Sequence, residues 1–225
     1  MLTMLTAAVA GTVHVLSGPD HMAAVAPLAL AERERSWWAG WTWGLGHASG
    51  VVLIAVLAVF LRDLLPPVPA ISLWGERAVG AALVGVGLWA LRRGLAIRPE
   101  PHSHGQVTHT HMRVGRGPMG LLRLGHAHAA FAMGILHGIA GTSHFLGVLP
   151  ALALPTRTDA LTYVAVFGIA SVVAMTAFAT LVGAVATRSS ARGAMAHRAL
   201  VLAGAATAII IGGYWLVSGF RATLA

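Results

Sequence analysis

Long apolar runs separated by short polar clusters organise the chain. Six runs stand out, at roughly Leu2–Leu30, Trp38–Leu61, Ala78–Leu91, Phe131–Leu154, Leu161–Ala186 and Leu200–Phe220. A helix that crosses the hydrocarbon of a bilayer needs ~20 mostly apolar residues, so each run predicts one transmembrane helix. The third reaches that length only if it starts near Ile71, which sets Glu76 and Arg77 near the interface.

Composition agrees with the pattern. The 225 residues are 57% hydrophobic and 10% charged, with a mean hydropathy of +0.77, whereas a soluble domain carries roughly a quarter charged residues. So few charges cannot solvate a globular surface. The predicted fold class is therefore an all-α integral membrane protein of about six transmembrane helices.

The formal charge of +8 is a topology signal and not a nucleic-acid patch, and no nucleic-acid partner is expected. Every cation is Arg. Alternate loops place Arg33, Arg35, Arg92, Arg93, Arg98, Arg113, Arg116, Arg123, Arg188, Arg192 and Arg198 on one side, against Arg62, Arg77, Arg157 and Arg221 on the other. The positive-inside rule assigns the richer side to the cytoplasm. A multi-pass protein of the cell inner (plasma) membrane with both termini outside is expected. The first run lacks a basic leader and carries a motif of its own, so it does not read as a cleaved signal peptide. With no cysteine, disulfides and thiolate metal sites are excluded.

An internal repeat divides the chain. Gly11–Leu30 aligns without gaps on Gly134–Ala153 at an offset of 123, superposing His14 on His137, Gly18 on Gly141, Asp20 on Ser143, His21 on His144 and Pro27 on Pro150. Weaker matches follow: Gly46-His-Ala-Ser49 on Gly168-Ile-Ala-Ser171 at 122, and Gly87-Leu-Trp89 on Gly213-Tyr-Trp215 at 126. The expected division is a three-helix repeat at 1–98, a His-rich cytoplasmic loop at 99–128 and a second three-helix repeat at 129–225. An odd number of spans per repeat inverts the second half, the plan of many transporters, whose substrate sites lie at the repeat interface.

His14, Asp20, His21, His47, His137 and His144 all fall inside apolar runs. Ionisable groups at that depth are costly and usually functional. A lone His such as His47 also fits a plain interhelical hydrogen bond, which leaves it a second-tier candidate. Residues seven apart lie within ~20° of one helical face but ~10.5 Å apart along it, too far for easy sharing of one ion through ~2.1 Å bonds. Gly18-Pro19 predicts a mid-membrane break that shortens the distance, and Gly138 and Gly141 loosen the partner segment. Imidazoles with one carboxylate suit nickel, cobalt, zinc, copper or iron rather than magnesium or calcium.

A second group, His102, His104, His109, His111, His126 and His128, crowds the loop between the third and fourth runs. Short His-rich tracts bind metal loosely. A metallochaperone or metalloenzyme-maturation protein is the class of partner such a loop would serve.

The stretch His14-Val-Leu-Ser-Gly-Pro-Asp20-His21, followed by Gly44-Leu-Gly46-His47-Ala-Ser49, resembles the nickel/cobalt permease superfamily, and most of all its UreH-like branch. The resemblance covers essentially the whole chain. It implies that His14, Asp20 and His21 are metal ligands and that His47 matches the family's Gly-His-Ser segment. The chain departs from the permeases proper in having five residues between His14 and Asp20 where they have four. It also has Thr142, Ser143 and His144 where their second half is acidic.

These readings converge on transmembrane transport of a divalent transition-metal ion, nickel or cobalt first, with import ahead of efflux. The central site is His14, Asp20 and His21 from one half and His137 and His144 from the other, with His47 behind them. The metal is cargo, and no resident cofactor is expected. The chain reads as no enzyme; the alternative from another class is a membrane-embedded zinc-dependent hydrolase.

Overall fold

The computed structural model describes residues 1–32, 35–61, 68–104, 107–113, 119–140, 150–191 and 193–221. In chain order these form α1 (Leu2–Ser17), α2 (Pro19–Glu32), α3 (Ser36–Leu61), α4 (Val68–Ala96), strands β1 (Arg98–His104) and β2 (Val107–Arg113), α5 (Met119–Ala140), α6 (Arg157–Ala191) and α7 (Ala194–Arg221). Among the described residues, four helices are long and apolar enough to cross a membrane, or five if α1 and α2 count as one bent span. The third run is longer than its apolar core suggested, because α4 continues to Ala96 and its spanning part covers Arg77–Ala96. The fourth run continues past Ala140 into residues 141–149, outside the described residues. The expected break near Gly141, and His144 itself, lie there.

The break in the first run falls at Gly18. Proline disfavours helical geometry in the residue before it, and Gly18 is extended, with φ −83° and ψ 104°. Its N–H still donates to the His14 carbonyl at 3.2 Å, closing α1, while its own carbonyl accepts from His21 N at 3.2 Å. Pro19 opens α2 at the position where a missing N–H costs nothing. The two helices meet at 71°.

In the bundle, α3 lies between α5 and α6, α1 packs on α6, and α4 packs on α7. Small residues set the approach of α3 to α5. Gly46 and Gly50 on one helix face Gly134 and Gly138 on the other. A Cβ on Gly46 would strike the Phe131 carbonyl, one on Gly134 the Trp43 carbonyl and one on Gly138 the His47 carbonyl. Such paired small-xxx-small surfaces let transmembrane helices touch backbone to backbone, where dispersion and weak polar contacts replace the hydrophobic drive.

The interior is correspondingly fine-grained. Ala23, Ala24, Ala29, Ala130, Ala174, Ala179 and Ala208 are buried around Val15, Trp43, Leu83 and Met175. Large apolar side chains such as Ile169, Leu181 and Ile210 instead point outward, the arrangement a lipid solvent permits. Trp37, Trp38 and Trp41 stand half-exposed at the start of α3, as indoles do at a membrane–water interface.

The segment 99–128 is not a uniform loop among its described residues: 99–104 and 107–113 belong to an antiparallel hairpin of β1 and β2, and α5 begins at Met119 rather than near residue 129. The fold is therefore all-α in its apolar spans and carries, among the described residues, one small two-stranded sheet outside them.

Candidate metal centre

The break between α1 and α2 turns two residues on one helical face into a cluster. His14 lies in the last turn of α1, Asp20 and His21 in the first turn of α2, and the bend brings the two imidazole centroids to 4.6 Å with the rings at 81°. Gly18 is needed for room: a Cβ there would lie 2.8 Å from Asp20 Oδ1 and overlap the His21 ring. Asp20 lies in the first turn of α2, where the positive end of the helix dipole favours a carboxylate.

Two further helices complete the cluster. The glycine-lined contact of α3 with α5 carries His47 and His137 inward on facing surfaces. The His21 ring centroid lies 5.0 Å from that of His47 and 4.6 Å from that of His137. His47 stacks on His14 at 5.6 Å with 17° between planes. Asp20 links the halves of the chain: one carboxylate oxygen lies 3.0 Å from His21 Nδ1 and the other 3.2 Å from His137 Nε2. Asp20, His21, His47 and His137 are all buried, and His14 is partly so.

Ligand-capable atoms fall into two overlapping groups, His14 with His21 and His47, and Asp20 with His21 and His137, each within 4.8 Å of one another. Around a tetrahedral ion with ~2.1 Å bonds, donors sit ~3.4 Å apart. Contraction by about an ångström in either group would enclose a dication. The chemistry is nitrogen-rich with one carboxylate, suited to borderline first-row ions.

Of the six residues singled out from sequence, five converge: His14, Asp20, His21, His47 and His137. His47, ranked behind the others as a lone His, is at the centre, packed against all three other imidazoles of the cluster. His144 lies outside the described residues. Strand residues His102, His104, His109 and His111 are remote in sequence and belong to the hairpin. The sequence reading missed Trp43. Its indole is 1% exposed, stacks on His47 at 5.5 Å and 6°, and sits 6.0 Å from His21 and 5.1 Å from His137. The available signal was spacing, since Trp43 precedes His47 by one helical turn and shares its face.

On its other side Trp43 lines a half-open apolar cavity of about 310 Å³, with Leu28, Gly85, Trp89, Ala130 and Met133 among its walls. A second, smaller pocket shares Trp89 and includes Arg93 and the buried His197, whose Nδ1 is 3.5 Å from Ser189 Oγ.

Comparison with known proteins places this geometry in context. The chain is 35% identical over 175 residues to "Chloroplast protein FOR GROWTH AND FERTILITY 2" of Arabidopsis thaliana, covering 77% of this chain and 45% of that protein. It is 34% identical over 182 residues to "Chloroplast protein FOR GROWTH AND FERTILITY 1" of the same plant, covering 79% and 48%. The chain thus spans about half the length of these two relatives. It is 28% identical over 205 residues to "Urease accessory protein UreH" of Bacillus sp. (strain TB-90), covering 89% of this chain and 85% of UreH. No profile of a known protein family and no solved structure matches the chain.

Proposed function

We propose that this chain is a member of the nickel/cobalt permease superfamily and carries a divalent transition-metal ion, nickel or cobalt, across a bilayer. The observation that carries the reading is the meeting of His14, Asp20, His21, His47 and His137 from four helices at a break inside an apolar span. Likeness to UreH over most of both chains supports it, and that protein's name as an accessory to urease fits a role in supplying enzyme maturation.

Two inverted three-helix repeats would give the site its alternating access. Reciprocal packing supports this: Gly11 of α1 abuts the Phe167 carbonyl of α6, and Gly134 of α5 abuts the Trp43 carbonyl of α3. These contacts pair Trp43 with Phe167 at an offset of 124, which would make buried Ser171 the counterpart of His47 beside the offset of 122 read from Gly46–Ser49. The Arg-rich loops then face the cytoplasm and both termini face outward, in an inner membrane, with import ahead of efflux. The sequence carries no nucleotide-binding motif, so a gradient or a partner supplies the energy. Transport is preferred to hydrolysis because an enzyme gains nothing from a ligand motif duplicated in opposite orientation, whereas alternating access uses that symmetry.

Flux tests the proposal. Purified protein in liposomes should pass Ni²⁺ or Co²⁺ in a saturable manner, and Asp20→Asn should abolish it. Tight binding with no flux above protein-free liposomes would refute transport, and metal-dependent hydrolysis of lipid or peptide would revive the enzyme.

Release would move Trp43, which seals the cluster on one side. The cavity behind it is large enough to receive an indole. Gly85 borders that cavity, and a Cβ there meets nothing within 4 Å. Gly85→Leu should therefore fill the space without strain. Metal affinity should stay within about twofold of the parent, as for a substitution that disturbs no packed contact. Flux should fall about tenfold, as for a blocked gating step. Unchanged flux would show that Trp43 does not swing into this space.

A further inference from the structure

The hairpin sorts its residues in a way that the sequence alone conceals. In the β1–β2 register Glu100 pairs with His111, His102 with His109 and His104 with Val107. Strand residues alternate between faces, so positions 100, 102, 104, 109 and 111 all belong to one face. Positions 99, 101, 103, 108, 110 and 112, which carry Pro, Pro, Ser, Thr, Thr and Met, form the other. All four His of the hairpin strands thus share one face with the hairpin's one carboxylate residue.

The prolines hold this sorting in place. Pro99 and Pro101 have no N–H to give to a ladder. The cross-strand donors of β1 are therefore the alternate residues, among them Glu100 and His102, which pair with His111 and His109. A one-residue slip would pair the prolines where donors are required, and would send half of the His to the opposite face.

We propose that this face is a second metal site, built for one borderline divalent ion such as Ni²⁺, Co²⁺ or Zn²⁺, with Glu100, His102, His109 and His111 as its ligand set. Directly opposed positions place their Cβ atoms ~4.5–5.5 Å apart, and successive same-face positions follow at ~6.6–6.8 Å. Two adjacent cross-strand pairs thus bring three His positions and one Glu position together on one face of the hairpin. Both strands lie against α7, which ties the hairpin to the bundle. A site fixed by cross-strand register differs from a loose His-rich tract, because it depends on which positions carry the His and not on how many there are. The inference does not require the transport reading.

That difference is testable on the full chain in detergent by Ni²⁺ calorimetry. The parent should bind two ions, one of them lost in His21→Ala. A composition-preserving swap, Thr108→His with His109→Thr and Thr110→His with His111→Thr, moves two His to the opposite face. The swap should weaken the hairpin site at least tenfold and leave the central site unchanged. His102→Ala with His109→Ala should do the same, which keeps the test independent of strand propensity. If the swapped protein binds like the parent, the tract acts by composition and the inference falls. If one ion is bound, removed by the swap and untouched by His21→Ala, the hairpin site stands and the central-site reading fails.

Discussion

His21→Ala should weaken Ni²⁺ binding at the central site by about 100-fold or more, a loss of ~2.7 kcal/mol. His21 is the residue common to both ligand groups, and its side chain is 1% exposed. Asp20 Oδ1, 3.0 Å from Nδ1, accepts the proton of that nitrogen in the tautomer that leaves Nε2 to a metal. Carboxylates commonly fix ligating imidazoles in this way. Replacement removes a donor, frees the carboxylate that oriented it and opens a void among His14, His47 and His137. The Trp43 indole that packs against His21 supplies no ligand atom in its place. Calorimetry on the purified variant measures the loss, with circular dichroism as the check on folding. A dissociation constant within threefold of the parent would show that the ion binds elsewhere.

The second large effect is coupling between the halves of the chain. His21→Ala and His137→Ala should each weaken binding, and the double variant should fall short of their sum by about 1–3 kcal/mol, as for groups that share partners. Asp20 supplies the reason, since its two oxygens hold His21 and His137 at 3.0 and 3.2 Å. Losing either imidazole already unseats the carboxylate that serves the other. His197→Ala is the control: it is equally buried but belongs to neither ligand group. Combined with His21→Ala it should add within ~0.5 kcal/mol. If His137→Ala binds metal like the parent, the site belongs to α1, α2 and α3, and α5 is scaffolding.

The break at Gly18-Pro19 was legible in the sequence because its cause is local. A proline without an N–H, and a preceding residue barred from helical geometry, act whatever surrounds them. The apolar runs were legible for a related reason, since a lipid solvent acts on each run separately. So were His14, Asp20 and His21, which lie on one short stretch of chain whose bend follows from that break.

Tertiary structure decided what depended on two distant stretches meeting. Gly46 and Gly50 announce a close-packed face, but only the carbonyls of α5 show which helix it meets. That contact moves His47 from a lone buried His to the middle of a cluster and sets Trp43 as its wall. The hairpin makes the same point outside the spans. The six His of 99–128, four of them in the hairpin strands, were plain in the sequence, but hydrophobic patterning is silent in a polar stretch, and a His-rich tract has no face until a second strand pairs with it. Local sterics and solvent preference are properties of one stretch of chain. Convergence of ligands depends on the free energy of contact between stretches far apart in the chain, which no single window of sequence contains.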